Sequence, residues 1–157
     1  MKVEWRYALL IALFEVVRLF TEYHIGLQGK YLEYGWISSF VLIVFIVGSI
    51  YYAVDDNLTL AAGAQNPVLI GAKTGFFVML LAGALMAGAH YLFFKYYNTG
   101  YFEVLIAYAK DAGLSSKELT QIYRLPNHLR MFIFYPSYGL VLGAISAWIL
   151  RKRRQRV

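Results

Sequence analysis

Glu15, Arg18 and Glu22 stand three and four residues apart inside an otherwise apolar stretch. On an α-helix that spacing puts all three on one face. Two carboxylates flanking a guanidinium in such surroundings suit one of two roles. They can relay a proton or an ion, or hold a polar substrate. Alternatively they form a neutralised intrahelical pair turned to a bundle interior or to a partner subunit. Each charge near a membrane centre costs roughly 2.5–3.5 kcal/mol on insertion scales, and a purely passive span has no need of them. His90 lies in a later apolar stretch, either as a packing residue that hydrogen-bonds to another helix or as a further polar path residue. Lys73 and Lys95 are expected to snorkel to headgroups from opposite ends of that stretch.

Other chemistries find no residues to carry them. The chain has no cysteine, so disulfides, iron–sulfur clusters and thiolate zinc sites are excluded. His24, His90 and His128 are scattered and form no HExxH spacing, so no metal site is expected. No GxSxG, Walker or GxGxxG pattern occurs, and Ser38, Ser39, Ser49, Ser137 and Ser146 have no evident base. The expectation is a chain without catalytic residues or cofactor. Asp55-Asp56-Asn57 reads as a solvated turn rather than a cation site.

The elements that must position these groups follow from composition. Of 157 residues, 60% are hydrophobic and 15% charged. Soluble domains are nearer 45–50% and about 25%. A chain this short has too much surface to hide the excess inside. Lipid resolves the conflict, and a helix needs about 20 apolar residues to cross it. Four spans are expected, over about 5–24, 34–54, 68–97 and 131–150. The ten-residue alternation of a β-barrel is absent. The first stretch has no small-residue cleavage site behind it and reads as a retained span, not a signal peptide.

Asn66-Pro67 is an N-cap with proline at the first helical position, so the third helix is expected to start there. Tyr91, Tyr96, Tyr97 and Tyr101 mark one membrane interface, and Tyr51 and Tyr52 the other. Residues 98–130 are expected to form a helical hairpin outside the membrane. Tyr101–Ala112 is amphipathic and ends at a C′ glycine, Gly113. Ser115 and Glu118 fit a capping box for a second short helix ending before Pro126. Pro136 interrupts the hydrogen bonding of the fourth span. The net charge of +6 concentrates in Arg151, Lys152, Arg153, Arg154 and Arg156 directly behind that span. This placement suits a cytoplasmic anchor on anionic headgroups, not nucleic acid. Both termini are therefore expected in the cytoplasm, with the hairpin periplasmic, against the contrary pull of basic residues interleaved with acidic ones in the third connection.

Small residues repeat every four positions. Gly71 and Gly75, then Gly83 and Ala87, form stripes on the third helix, and Gly139, Gly143 and Ala147 form one on the fourth. Such faces let helices approach closely, within one chain or between copies.

Gly71-Ala72-Lys73-Thr74-Gly75, the aromatic run Tyr91–Tyr97, the segment Ala112–Glu118 and Tyr138–Ala147 followed by Arg151-Lys152 resemble an uncharacterised bacterial family of four-span inner-membrane proteins, a domain of unknown function. The resemblance lies mainly in the part from Gly71 onward. It implies a Gram-negative inner-membrane location and carries over no functional residue. The expected fold is thus all-α, a polytopic four-transmembrane-helix bundle. Two functions are weighed, the first being the expected one and the second its alternative. One is a non-enzymatic accessory or assembly protein acting through helix contacts, as a homo-oligomer or in a larger membrane complex. The other is a small oligomeric transporter or channel using Glu15, Arg18, Glu22 and His90.

Overall fold

A computed structural model describes residues 3–61, 66–113 and 127–155. Among the described residues the chain is all-helical, with five α-helices and no strand. They are α1 (Val3–His24), α2 (Gly35–Leu60, entered through a 3-10 turn at Leu32–Tyr34), α3 (Pro67–Tyr96), α4 (Tyr101–Asp111) and α5 (Asn127–Arg154). Two helical stretches among these residues, Leu32–Leu60 and Pro67–Tyr96, are long and apolar enough to cross a membrane. The capping box at Ser115 and the short helix before Pro126 lie outside the described residues.

The long helices alternate in direction. Phe14 of α1 stacks on Phe45 of α2 with centroids 4.1 Å apart, and α3 and α5 face each other through Gly71–Ala147 at one end and Met79–Gly139 further along. α2 and α3 share the centre, and α1 and α5 flank them on either side. Gly71 and Gly75 lie directly against Gly139, Gly143 and Ala147, close enough for backbone to meet backbone. The core between the helices is Ile11, Ile50, Val54, Val78, Met79, Ala82 and Met86, all almost fully buried. The outward faces are also apolar. Leu9, Leu13 and Val17 are exposed on α1, Phe40 and Val44 on α2, and Val141, Ile145 and Trp148 on α5.

Local signals set the ends. The Asn66 side chain accepts the Leu69 amide at 3.1 Å, and Pro67 takes the first helical position of α3. An Asn66→Ala substitution is expected to cost about 1 kcal/mol, read as a lowered unfolding midpoint in micelles. α1 closes in a Schellman motif, with Leu27 N donating to Glu22 O at 2.9 Å and Gly26 N to Tyr23 O at 3.2 Å. Gly26 has φ +82°, which a side chain resists. Gly113 ends α4 with φ +84°.

Two boundaries differ from the sequence reading. α2 runs past Val54 to Leu60, so Asp55-Asp56-Asn57 is helix and not a turn. The cause is a set of partners supplied by other helices. Arg154 donates to Asp55 at 2.8 Å, Arg6 and Tyr7 both bond Asp56, and Asn57 donates to Glu4 at 3.0 Å and Thr74 at 2.9 Å. α5 is also longer than residues 131–150, taking in Asn127 at its start and Arg151–Arg154 at its end. It passes through Pro136 without a break.

Candidate functional site

Glu15 sits in the middle of α1 with 0% exposure. Burial of a lone carboxylate is prohibitive, so partners must converge on it. Arg18, one turn on, grips it with two hydrogen bonds, Nε to Oε2 and Nη2 to Oε1, both 2.6 Å. His90 reaches across from α3, its Nε2 2.5 Å from Glu15 Oε1. The guanidinium marks Glu15 as a carboxylate, so the imidazole N–H is the donor.

The network continues towards the C-terminal end of α1. Arg18 Nη1 donates to Glu22 and, at 3.0 Å, to the Ser38 hydroxyl of α2. Ser38 in turn donates to Glu22. Gln28, just beyond the Gly26 turn, donates to Glu22 Oε2 at 3.1 Å and to Leu19 O at 3.2 Å. Asn98, beyond the end of α3, donates to Gln28 Oε1 at 2.8 Å. The result is one continuous chain, His90–Glu15–Arg18–Glu22–Gln28–Asn98. No buried side-chain polar atom among the described residues lacks a partner. The candidates Glu15, Arg18, Glu22 and His90 are therefore one cluster. Among the described residues its two carboxylates and one guanidinium sum to a formal charge of −1, before any proton on His90 is counted.

Above the cluster lies a cavity of about 550 Å3. Arg18, Glu22 and His90 form part of its lining. The other walls come from elements packed around the same end of the bundle. Trp36 and Ser39 belong to the start of α2, Tyr101, Leu105 and Tyr108 to one face of α4, and Tyr135 and Tyr138 to α5. α4 is held there by Tyr101, whose ring stacks on Phe94 at 4.6 Å. A second aromatic group, Phe20, Tyr23, Phe93 and Tyr97, clamps α1 to α3 beside it. The basic residues Arg151–Arg154 lie at the opposite end of the bundle, where Arg154 meets Asp55. Ile11, Ile50, Val78, Met79 and Ala82 form a dry layer between the two ends.

The small-residue candidates fall into two groups. Gly71, Gly75, Gly139, Gly143 and Ala147 are used up in the α3–α5 contact. Gly83 is buried and Ala87 half-buried further along α3. Lys73 and Lys95 are both exposed, and Lys95 donates to the Tyr91 hydroxyl at 2.9 Å.

A family model for a protein of unknown function, DUF4199, matches residues 6–152. The chain belongs to the DUF4199 family. The match takes in α1 and α2 as well as the part from Gly71 onward, so the polar cluster of this DUF4199 chain lies wholly within it. No curated protein and no solved structure matches it significantly.

Ser38, Gln28 and Asn98 belong to the cluster of this DUF4199 member but are not among the residues that spacing singles out. A serine near a helix start and two amides in connections are ordinary in those places. One signal was available for Gln28: it follows a glycine that must reverse the chain, which returns it towards Glu22.

Proposed function

We propose that this chain is a four-span inner-membrane protein that binds a small solute in the cavity and serves as the binding body of a small transporter. One observation carries the reading. Arg18, Glu22 and His90 of the polar cluster line a cavity at the end of the bundle away from the basic tail. An ion pair that served only to hold helices together would need no cavity beside it.

Four spans are supported by the apolar outer faces of α1 and α5, which match those of α2 and α3 and suit lipid contact. The basic tail behind α5 supports placing both termini in the cytoplasm, with the cavity facing the periplasm. The dry layer below Glu15 means that passage requires a second conformation, in which the cluster opens to the other side. The reading as an accessory protein has less support. The glycine faces it would use are spent between α3 and α5, and the charged face of α1 turns inward to His90.

A thermal-shift panel of small amines, carboxylates and sugars in lipid nanodiscs tests the proposal. At least one solute should raise the melting temperature of the wild-type chain, and the rise should vanish in Leu105→Trp, which fills the cavity. If no solute stabilises the wild type, or if every stabilising solute acts equally on Leu105→Trp, the proposal is wrong.

A further inference from the structure

We infer that the ligand is a monovalent organic cation with an aromatic or apolar body, and that its binding expels one proton from the Glu15–His90 pair. The inference rests on the cavity being a ligand site.

Charge is the first argument. Arg18 already spends four of its five N–H groups, two on Glu15, one on Glu22 and one on Ser38. It has almost nothing left with which to take an anion. Glu15 and Glu22 together outnumber it by one negative charge. A buried net charge is costly, so one positive charge is wanted at this site.

The walls are the second argument. Trp36, Phe94, Tyr101, Tyr108, Tyr135 and Tyr138 line the cavity. Aromatic faces attract a weakly hydrated cation and accept an apolar body. A sugar or a small carboxylate gains little from such walls.

The proton follows from the same count. Among the described residues, the titratable or charged groups bonded to the Glu15–His90 pair or lining the cavity beside it are Arg18 and Glu22 from α1, Tyr101 and Tyr108 from α4, and Tyr135 and Tyr138 from α5. α2 brings the hydroxyls of Ser38 and Ser39 and no charged group among its residues at the site. With the cavity empty, a proton on the His90 imidazole brings the cluster from −1 to zero. With a cation beside Glu22 the cluster is neutral without that proton. Both together would leave +1, and neither would leave −1. Each occupant therefore excludes the other: protonated site plus cation gives cation-bound site plus one proton released to the cavity water. Such an exchange would couple the movement of the cation to a proton moving the opposite way.

Isothermal titration of the full chain in nanodiscs tests this with benzyltrimethylammonium, benzyl alcohol and benzenesulfonate as probes. The cation should bind at least about tenfold more tightly than the neutral and anionic probes. Repeating the titration in phosphate and in Tris, which differ in ionisation enthalpy, should show about one proton released per cation bound in the pH range where the site is protonated. There the affinity should weaken about tenfold for each unit of falling pH. In His90→Gln the cation should still bind, with proton release and pH dependence both lost. Preference for benzenesulfonate, or cation binding with the same heat in both buffers at every pH, overturns the inference. If the solute panel yields a ligand but benzyltrimethylammonium does not bind, the cation class is wrong and the cavity remains a site. If no panel member binds either, the reading of the cavity falls with it.

Discussion

Arg18→Met is expected to destabilise the protein by about 3–5 kcal/mol, because it leaves two carboxylates in the bundle without their shared counter-ion. Glu15 is fully buried and loses both guanidinium hydrogen bonds. Glu22 keeps only Ser38 and Gln28. Glu15→Gln should cost less, since the remaining Arg18–Glu22 pair is neutral and an amide can still meet Arg18 or His90. Replacing Glu15, Arg18 and Glu22 together by apolar residues of similar volume should recover most of the loss, because no charge is then stranded. Reversible unfolding in mixed micelles, followed by far-UV circular dichroism, measures all three. An Arg18→Met protein within 1 kcal/mol of wild type would show that these residues do not act as one unit.

Gly75→Ala should be the most damaging single methyl addition among the four glycines of the α3–α5 contact. A Cβ there would run into the Gly139 carbonyl oxygen, with the carbonyl carbon of Gly139 and the Cα of Gly143 each 2.9 Å away. These are backbone atoms, so no side chain can rotate aside. Overpacking of this kind costs about 1–3 kcal/mol, and here it exceeds the gain of up to about 1 kcal/mol that alanine brings to a helix interior. Gly75→Val should separate α3 from α5 altogether. Gly88 lies on the same helix with nothing within 4 Å of its built Cβ. Gly88→Ala should therefore be neutral or slightly stabilising. The same unfolding assay ranks the pair, and equal effects at the two positions would refute the close α3–α5 contact.

These two sites also show what the sequence discloses. Spacing alone put Glu15, Arg18 and Glu22 on one face, because an α-helix has a fixed period and nothing further is required. Spacing alone likewise marked Gly71, Gly75, Gly139 and Gly143 as contact faces. It left open whether each face met its own chain or another, because periodicity carries no information about the partner. The pairing of His90 with Glu15 joins residues 75 positions apart and depends on how α3 turns against α1. The end of α2 was misplaced for a related reason. Asp55-Asp56-Asn57 has the composition of a turn, but Glu4, Arg6, Tyr7, Thr74 and Arg154 from three other helices bond it as part of α2. The cavity left no local signature, since its walls come from five helices and the connection between α1 and α2.

The chain has no cysteine, so single cysteines can be read without background. Leu19 is 2% exposed and lines the cavity one turn beyond Glu15, while Ile11 is fully buried one turn before it. The most direct measurement is labelling of Leu19→Cys and Ile11→Cys by a membrane-impermeant maleimide in sealed vesicles of each orientation. Leu19→Cys should react from the side opposite the basic tail and from that side alone, while Ile11→Cys should react from neither. If Leu19→Cys is as inert as Ile11→Cys, or reacts from the tail side, the polar cluster is not the floor of a one-sided cavity.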